Sequence, residues 1–267
     1  MSMIYRRIVV KVGSSTLTHE SGKPNLYRLE QIVRTLCDAQ NAGCQVILVT
    51  SGAVAMGASR LSLKERPRET RAKQAAAAVG QSGLMALYDR LFGQYGHISA
   101  QMLMTRDVVE DERRRTNCLG VLEALLEMGV IPVVNENDTV SVEELEAMVT
   151  FGDNDHLSAI VAGMADADAL IFLSDRDCLY ASDPRTDENA QLVRRVEDIT
   201  PELRSAAGGP GNAGTGGMAS KLDAAEYATA RGIDCFIVNG GAPSAVLDVL
   251  DGKKPGTHFV AKRDVDR

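Results

Sequence analysis

The sequence predicts an α/β fold, with six to eight strands in one sheet that is covered by helices. Short apolar runs alternate along the chain with segments in which apolar residues recur at helical spacing. A strand, a helix and a second strand occupy residues 8–50, and such a βαβ unit pairs its strands in parallel through a right-handed crossover. The 267 residues are 45% hydrophobic and 24% charged, which is typical of a globular domain.

Seven apolar runs are predicted strands, because each has the length of a strand and most end in small or polar residues. They span 8–12, 44–50, 97–105, 130–134, 169–173, 234–238 and 256–260. Pro132 argues against an interior position for the fourth of these, because proline has no N–H to donate to a neighbouring strand.

Five helices are predicted between these strands from the spacing of apolar residues. They begin near residues 26, 68, 119, 155 and 221. Gly80 and Gly83 lie inside the second helix, where each costs about 1 kcal/mol, so we expect close packing at these positions. Residues 139–152 are predicted to form an acidic connection, as a short helix or a hairpin, and residues 181–214 a turn-rich polar segment.

Composition and charge argue against several classes of function. The formal net charge is −7 and the pI is near 5.2, which disfavours binding to nucleic acid or to an anionic membrane. The five cysteines are scattered without a C-x-x-C pair, and the four histidines form no metal-binding pattern. No apolar run approaches the roughly 18 residues that a membrane helix needs. We therefore expect a cytoplasmic protein with reduced thiols and no resident metal.

The first predicted strand carries Lys11 and ends in Gly13-Ser14-Ser15. Glycine lets the backbone approach an anion, and the amide N–H groups that follow can point at it, so this stretch is a candidate phosphate site. These residues alone fit equally well an ordinary turn whose lysine reaches out to water.

A second lysine, Lys221, follows another glycine-containing loop, and Asp155 stands at the start of a helix between the two lysines in sequence. Phosphoryl transfer needs positive charge on the transferred group and on the leaving diphosphate. Two lysines on opposite loops could supply that charge, and an acid between them would hold both in place. The alternative is that Asp155 is only a helix N-cap.

Polar residues at Ser51, Asn135, Asp138 and Asn154 follow predicted strands or open a helix, and they suit a small polar acceptor. Asp138 and Asn154 could bind an ammonium and a carboxylate group. A carboxylate acceptor is already ionised at neutral pH and needs no general base, which agrees with the lack of a well-placed histidine. A G-x-G-x-x-G match at residues 209–214 follows no predicted strand, so it is weak support for a dinucleotide site.

Six sequence blocks resemble those of the glutamate 5-kinases, a family within the amino acid kinase superfamily. They are Val10-Lys11-Val12-Gly13-Ser14, Val49-Thr50-Ser51-Gly52-Ala53-Val54, Asn135-Glu136-Asn137-Asp138, Phe151-Gly152-Asp153-Asn154-Asp155, Asp183-Pro184-Arg185 and Gly214-Thr215-Gly216-Gly217-Met218. The N-E-N-D, G-D-N-D and G-T-G-G-M blocks together distinguish this family from its relatives.

The resemblance implies a three-layer αβα sandwich around an open, mostly parallel sheet, the amino acid kinase fold. Residues 1–165 would form an acceptor-binding lobe and residues 166–260 a nucleotide-binding lobe of a single domain. The implied reaction is the ATP-dependent phosphorylation of the side-chain carboxylate of L-glutamate to L-glutamyl 5-phosphate, the first step of proline biosynthesis, with Mg²⁺ as cofactor. We expect a kinase-only form without the C-terminal PUA-like domain that many bacterial members carry.

The resemblance also implies roles for individual residues. The catalytic residues would be Lys11, Asp155 and Lys221. Glutamate would be bound by Ser51, Asp138 and Asn154, with Asn135 and Asp153 close by. ATP would be bound by Lys11, Gly13, Ser174, Asp175, Thr215, Gly216, Gly217, Met218, Ala219, Ser220 and Lys221.

Further implied partners are proline as a feedback inhibitor, a second copy of the chain in a homodimer or homotetramer, and a glutamyl-phosphate reductase that takes the product. Three alternatives stay open at this point. The chain could be a kinase of the same fold for N-acetylglutamate, carbamate or a nucleoside monophosphate. It could be a regulatory protein that senses ATP or proline without turnover, or a nicotinamide oxidoreductase that uses the motif at residues 209–214.

Overall fold

The computed structural model of the chain describes residues 3–19, 21–140, 154–182, 190–207 and 217–262. The strands in these ranges are β1 (Arg7–Val12), β2 (Gln45–Thr50), β3 (Ser99–Met104), β4 (Ile131–Glu136), β5 (Ala169–Ser174), β6 (Leu179–Tyr180), β7 (Leu192–Val193), β8 (Arg195–Val196), β9 (Asp234–Asn239) and β10 (Thr257–Phe259). The helices are α1 (Ser14–Leu17), α2 (Leu26–Asn41), α3 (Ala53–Arg60), α4 (Thr70–Gln94), α5 (Arg106–Glu110), α6 (Glu112–Glu127), α7 (Asn154–Met164), α8 (Pro201–Ala206), α9 (Met218–Thr229) and α10 (Ala245–Leu250).

Eight strands form one sheet in the order β3-β4-β2-β1-β5-β9-β10-β8, and β6 pairs with β7 separately. All neighbours from β3 to β9 are parallel, whereas β10 is antiparallel to β9. In the centre, Val10 lies opposite Leu48 of β2 and Ile171 of β5. Because the strands from β3 to β9 run in one direction, the loops after β1, β2, β4 and β5 leave the sheet at the same edge.

Helices cover both faces of this sheet. Alternate residues of a strand point to opposite faces, so Val10 belongs to the core cluster that includes residues of α2, α4 and α10, while Val9 belongs to the cluster that includes residues of α6, α7 and α9. Both residues are fully buried. The predicted three-layer sandwich around a mostly parallel sheet is therefore confirmed.

Helices α3 and α4 approach each other at two glycines. A Cβ atom built on Gly57 would lie 1.7 Å from the carbonyl oxygen of Ala76, and one built on Gly80 would lie 1.8 Å from that of Ala53. A side chain at Gly83 would meet Arg60. The expectation that Gly80 and Gly83 serve close packing is confirmed, and the contact holds α4 against α3, the helix that follows β2.

Two of the predictions need correction. β4 lies inside the sheet although it contains Pro132, because pairing with β2 begins only at Val133 and the missing N–H interrupts no bond there. Within the predicted turn-rich segment 181–214, the described residues 190–207 contain β7, β8 and α8, and β8 joins the edge of the main sheet. Strands of two residues are too short to show a period in the sequence.

The predicted connection at 139–152 lies, from residue 141 onward, outside the described residues. Among the helices that are described, none is both long enough and apolar enough to cross a membrane.

Candidate active site

The carboxyl ends of β1, β2, β4 and β5 open into one cleft of about 1070 Å³. Ligands bind at this edge in open parallel sheets. Nine of the predicted site residues line the cleft, and they are Lys11, Gly13, Ser51, Asn135, Asp138, Asn154, Ser174, Asp175 and Lys221. The ends of four separate strands therefore contribute to a single cleft.

Asp155 lies between the two predicted lysines. Its carboxylate is fully buried and forms ion pairs with Lys11 through Oδ1 and with Lys221 through Oδ2, the latter at 3.0 Å from Nζ. The two lysine side chains are 5% and 9% exposed. Lys11 comes from β1, Asp155 from the first turn of α7 and Lys221 from α9, and α7 packs on α9.

This arrangement decides between the two readings of Asp155. Its side chain pairs with the lysines instead of only capping α7, because a buried carboxylate is stable only when its charge is compensated. Two ammonium groups and one carboxylate leave a net positive charge that Lys11 and Lys221 present to the cleft. Such a charge suits an anionic phosphoryl group.

Gly13 leaves room beside this charge. A Cβ atom at position 13 would lie 3.7 Å from the Nζ atom of Lys11, in the space next to the ammonium group. The predicted phosphate site at the end of β1 therefore has an open approach to Lys11. The alternative of a lysine that reaches out to bulk water does not fit a side chain that is 5% exposed.

An amide network occupies the acceptor end of the cleft. The Nδ2 group of Asn154 lies 2.9 Å from Ser51 Oγ, 2.9 Å from Asn135 Oδ1 and 3.0 Å from the carbonyl oxygen of Thr50. Asn135 in turn donates from Nδ2 to Oε1 of Gln81 at 2.8 Å. The Oδ1 atom of Asn154 is buried and has no hydrogen-bond partner among the described residues, so it can accept a hydrogen bond from a ligand.

Asp138 lines the cleft beside a loop that sequence reasoning did not include. Burial raises the pKa of the Asp138 carboxyl, and the charge of Arg66 partly opposes that rise. Arg66 belongs to a group of cleft-lining cations that were missed: Lys64, Arg66, Arg68 and Lys73. The signal available was three cations within residues 64–68, a pattern that is equally typical of a solvated surface loop.

Ser174 and Asp175 lie at the end of β5, where Ser174 Oγ donates to Asp175 Oδ1 at 3.2 Å. Other predicted nucleotide contacts stand at the beginning of α9, where Gly217 is the N-cap. Met218, Ala219 and Ser220 follow it and do not line the cleft.

Some predicted residues cannot be placed. Asp153, Thr215 and Gly216 lie outside the described residues. The G-x-G-x-x-G match at 209–214 also lies outside them, and the element before it is the helix α8, whereas a dinucleotide site of this type follows a strand.

The described residues contain no group of three or more His, Cys, Asp or Glu side chains that could hold a metal ion. Mg²⁺ in phosphoryl-transfer sites is commonly held by one or two carboxylates together with the substrate phosphates. Asp175 in the cleft fits that requirement, so the donor set suits an ion that binds with a nucleotide.

Comparisons with known proteins identify relatives of this chain. The model of the amino acid kinase family matches residues 6–239. The glutamate 5-kinase of Clostridium perfringens (strain 13 / Type A) is 51% identical over 259 residues, which cover 97% of this chain and 96% of that protein. The glutamate 5-kinase of Listeria innocua serovar 6a is 46% identical over 260 residues, covering 97% of this chain and 94% of that protein.

Among solved structures, an isopentenyl phosphate kinase of T. acidophilum in a product complex aligns with a TM-score of 0.66, over 94% of this chain and 99% of that one. The sequence identity is 17%, so this likeness shows the fold alone. The family match and the two relatives, which share about half of their residues with this sequence, show more. The chain belongs to the amino acid kinase family and, within it, to the glutamate 5-kinases.

Proposed function

We propose that this chain transfers the γ-phosphoryl group of ATP to the side-chain carboxylate of L-glutamate, which gives L-glutamyl 5-phosphate and ADP. The observation that carries the proposal is a single cleft that contains both Lys11 and Lys221, paired through Asp155, and the amide network of Asn135 and Asn154. The first group suits a phosphoryl group, and the second suits a small polar acceptor.

The acceptor end has features that fit a free amino acid. Asn154 Oδ1 and the carboxylate of Asp138 are hydrogen-bond acceptors, and an ammonium group has three donors and no acceptor. Arg66 and Arg68 in the same cleft are suited to carboxylates, which accept charge-assisted hydrogen bonds. This combination favours an acceptor that carries both kinds of charge.

The transfer step needs no base from the protein. A side-chain carboxylate with a pKa near 4.3 is ionised at neutral pH, and no histidine lines the cleft among the described residues. One carboxylate oxygen forms the new bond to phosphorus while the bond from phosphorus to the ADP oxygen breaks. Lys11 and Lys221 stabilise the negative charge on the transferred group and on the leaving diphosphate, and Asp155 keeps their ammonium groups in place.

Mg²⁺ that is bound together with the nucleotide would neutralise charge on the phosphates. Asp175 is the carboxylate that would hold it, because it lines the cleft at the end of β5, next to the predicted nucleotide contact Ser174.

The test is ATP turnover in the presence of Mg²⁺, with hydroxylamine to trap an acyl phosphate as a hydroxamate. L-Glutamate and N-acetyl-L-glutamate are compared as acceptors, because they differ only in whether the amino group is free. Hydroxamate from L-glutamate alone supports the proposal. Hydroxamate from the N-acetyl compound alone would show that N-acetyl-L-glutamate is the substrate instead of L-glutamate. No hydroxamate from either compound would favour a regulatory ATP-binding protein.

The family resemblance supports further proposals about the same reaction. The enzyme acts in the cytoplasm on the pathway to proline, assembles as a homodimer or homotetramer and is inhibited by proline. The acyl phosphate product is reactive, so a glutamyl-phosphate reductase consumes it. Light scattering tests the assembly, and turnover with added proline tests the inhibition.

A further inference from the structure

Two buried polar side chains of α4, Gln81 and Tyr88, do not line the cleft themselves but contact residues at the strand ends that lead into it. Gln81 and Tyr88 are seven residues apart, so they lie on the same face of the helix, two turns from each other. The hydroxyl of Tyr88 lies 2.8 Å from Thr50 Oγ1, and Gln81 Oε1 accepts from Asn135 Nδ2 at 2.8 Å. Each therefore contacts a residue at the end of a strand that leads into the site.

The direction of the amide hydrogen bonds is set by two backbone groups. The backbone N–H of Glu136 donates to Asn135 Oδ1 at 2.9 Å, and the carbonyl oxygen of Thr50 accepts from Asn154 Nδ2 at 3.0 Å. Neither backbone group can exchange its role. The oxygen of Asn135 consequently faces Glu136 and Asn154, its NH₂ group faces Gln81, and the oxygen of Asn154 is the atom left without a partner among the described residues.

We propose that Gln81 is a positioning residue which, by accepting the hydrogen bond of Asn135, holds Asn154 so that its Oδ1 atom accepts from the ammonium group of the substrate. The inference rests on the proposed function and deepens it, because it assigns the selectivity for a free amino group to a side chain outside the cleft. Without the oxygen of Gln81, the buried NH₂ group of Asn135 loses its acceptor, and only the bonds to its oxygen, from Glu136 N–H and Asn154 Nδ2, still hold the side chain that positions Asn154.

A purely structural role does not explain glutamine at this position. Gln81 is 9% exposed, and its Nε2 group has no hydrogen-bond partner among the described residues. An apolar side chain of similar shape would fill the space without leaving a buried donor unpaired. Among the described residues, the hydrogen bond from Asn135 to the Gln81 side chain is therefore the feature that an apolar residue could not replace.

The experiment compares three variants of α4 by steady-state kinetics. Gln81→Met keeps the volume and removes the acceptor, Gln81→Glu keeps an oxygen in place of Oε1, and Gln94→Met is the matched control on an exposed position of the same helix. We expect Gln81→Met to raise the KM for L-glutamate about tenfold and to leave the KM for ATP within about twofold. Gln81→Glu should restore the KM for L-glutamate to within about threefold, and Gln94→Met should match the unmodified enzyme.

A second readout is selectivity. Glutarate has the two carboxylates of glutamate and no amino group, so the preference for L-glutamate over glutarate should fall in Gln81→Met by the same factor as the KM changes. An unchanged KM and preference in Gln81→Met would overturn the inference. An equal rise in the KM for ATP and for L-glutamate would also overturn it, because that result indicates a general structural defect.

Two further measurements cover the remaining outcomes. If Gln81→Met does not fold, the test uses Gln81→Asn, which keeps the amide group but shortens the side chain. This variant must raise the KM for L-glutamate and not the KM for ATP, and a normal KM for L-glutamate overturns the inference. If the unmodified enzyme does not phosphorylate L-glutamate, the proposed function fails, and the role of Gln81 is judged by NMR. The side-chain NH₂ protons of Asn135 and Asn154 should then exchange slowly with water in the unmodified protein and in Gln81→Glu, and rapidly in Gln81→Met. Slow exchange in all three would contradict the role.

Discussion

Replacing Asp155 with asparagine should destabilise the protein more than a change at either lysine that contacts it. Asparagine keeps the shape of the side chain and removes only the charge. The Asp155 side chain is fully buried, and both Lys11 and Lys221 are less than one-tenth exposed, so water cannot replace the lost carboxylate. The ammonium groups of Lys11 and Lys221 would then face each other without the carboxylate that pairs with both.

The magnitude follows from this geometry. Removal of one partner from a buried ion pair costs about 3–5 kcal/mol, and here two cations lose the same partner, so we expect about 5 kcal/mol. For a chain of this size each kcal/mol lowers the Tm by about 2–4 °C, which gives a decrease of roughly 10–20 °C. Lys221→Met should cost less, because Asp155 keeps its ion pair with Lys11.

The assay is thermal unfolding followed by far-UV circular dichroism at neutral pH. The informative comparison is the double variant Asp155→Asn/Lys221→Met, in which only Lys11 has lost the Asp155 carboxylate, whereas both lysines have lost it in Asp155→Asn. It should be more stable than Asp155→Asn alone, although it has one more substitution. A Tm of Asp155→Asn within about 2 °C of the unmodified protein would refute the reasoning, as would a double variant less stable than both single variants.

Three other predictions follow from the same structure. Lys221→Met should lower kcat by about 10²–10³-fold, the usual cost of one charge-stabilising donor, with the KM for L-glutamate changed much less, as steady-state hydroxamate formation would show. Because the charge of Arg66 opposes the rise in the pKa of Asp138, Arg66→Gln should raise this pKa further. The ammonium group of the substrate binds the ionised carboxylate, so protonation of Asp138 should raise the KM for L-glutamate. In Arg66→Gln this rise in KM should set in at a higher pH than in the unmodified enzyme, as pH profiles of the two would show. Gly80→Ala should cost about 3 kcal/mol in urea unfolding, because its Cβ would lie 1.8 Å from a carbonyl oxygen of α3, whereas Gly93→Ala should gain about 0.5–1 kcal/mol.

Each of these has a matched control. Gly93 lies on the same helix as Gly80, and a Cβ there would meet nothing within 4 Å. Arg90→Gln removes an exposed arginine of α4 outside the cleft and should leave the pH profile unchanged. Lys23→Met, at an exposed position, should leave kcat unchanged. Equal effects in a variant and in its control would contradict the corresponding prediction.

The elements that were predicted correctly have local signatures. β1, β2 and β5 are nearly continuous apolar runs, because strands that are buried on both faces must be apolar throughout. Lys11 was identified because one lysine interrupts such a run just before a glycine. The carboxyl-end cleft followed from parallel pairing, since every strand of such a sheet ends at the same edge.

The elements that were missed have no such signature. β8 is two residues long and depends on pairing with β10, which lies far along the chain. Arg66 stands in the exposed charged loop between α3 and α4 and became relevant only because the fold brings this loop to Asp138. Gln81 looked like an ordinary polar residue of an alanine-rich helix until the packing of α3 on α4 placed it beside Asn135.

The sequence by itself determined the α/β class and the strands of the main sheet apart from β8. It also determined which residue types meet at the ends of β1, β2, β4 and β5. The spacing of apolar residues and the polar residues at strand ends depend only on residues that are close in sequence. Only the tertiary structure decided whether Asp155 caps a helix or joins two lysines, and which amide oxygen remains open to a ligand. Asp155 and Lys221 are 66 positions apart, and Gln81 and Asn135 are 54 apart. Contacts over such distances depend on how helices pack against the sheet, and that packing leaves no period or motif along the chain.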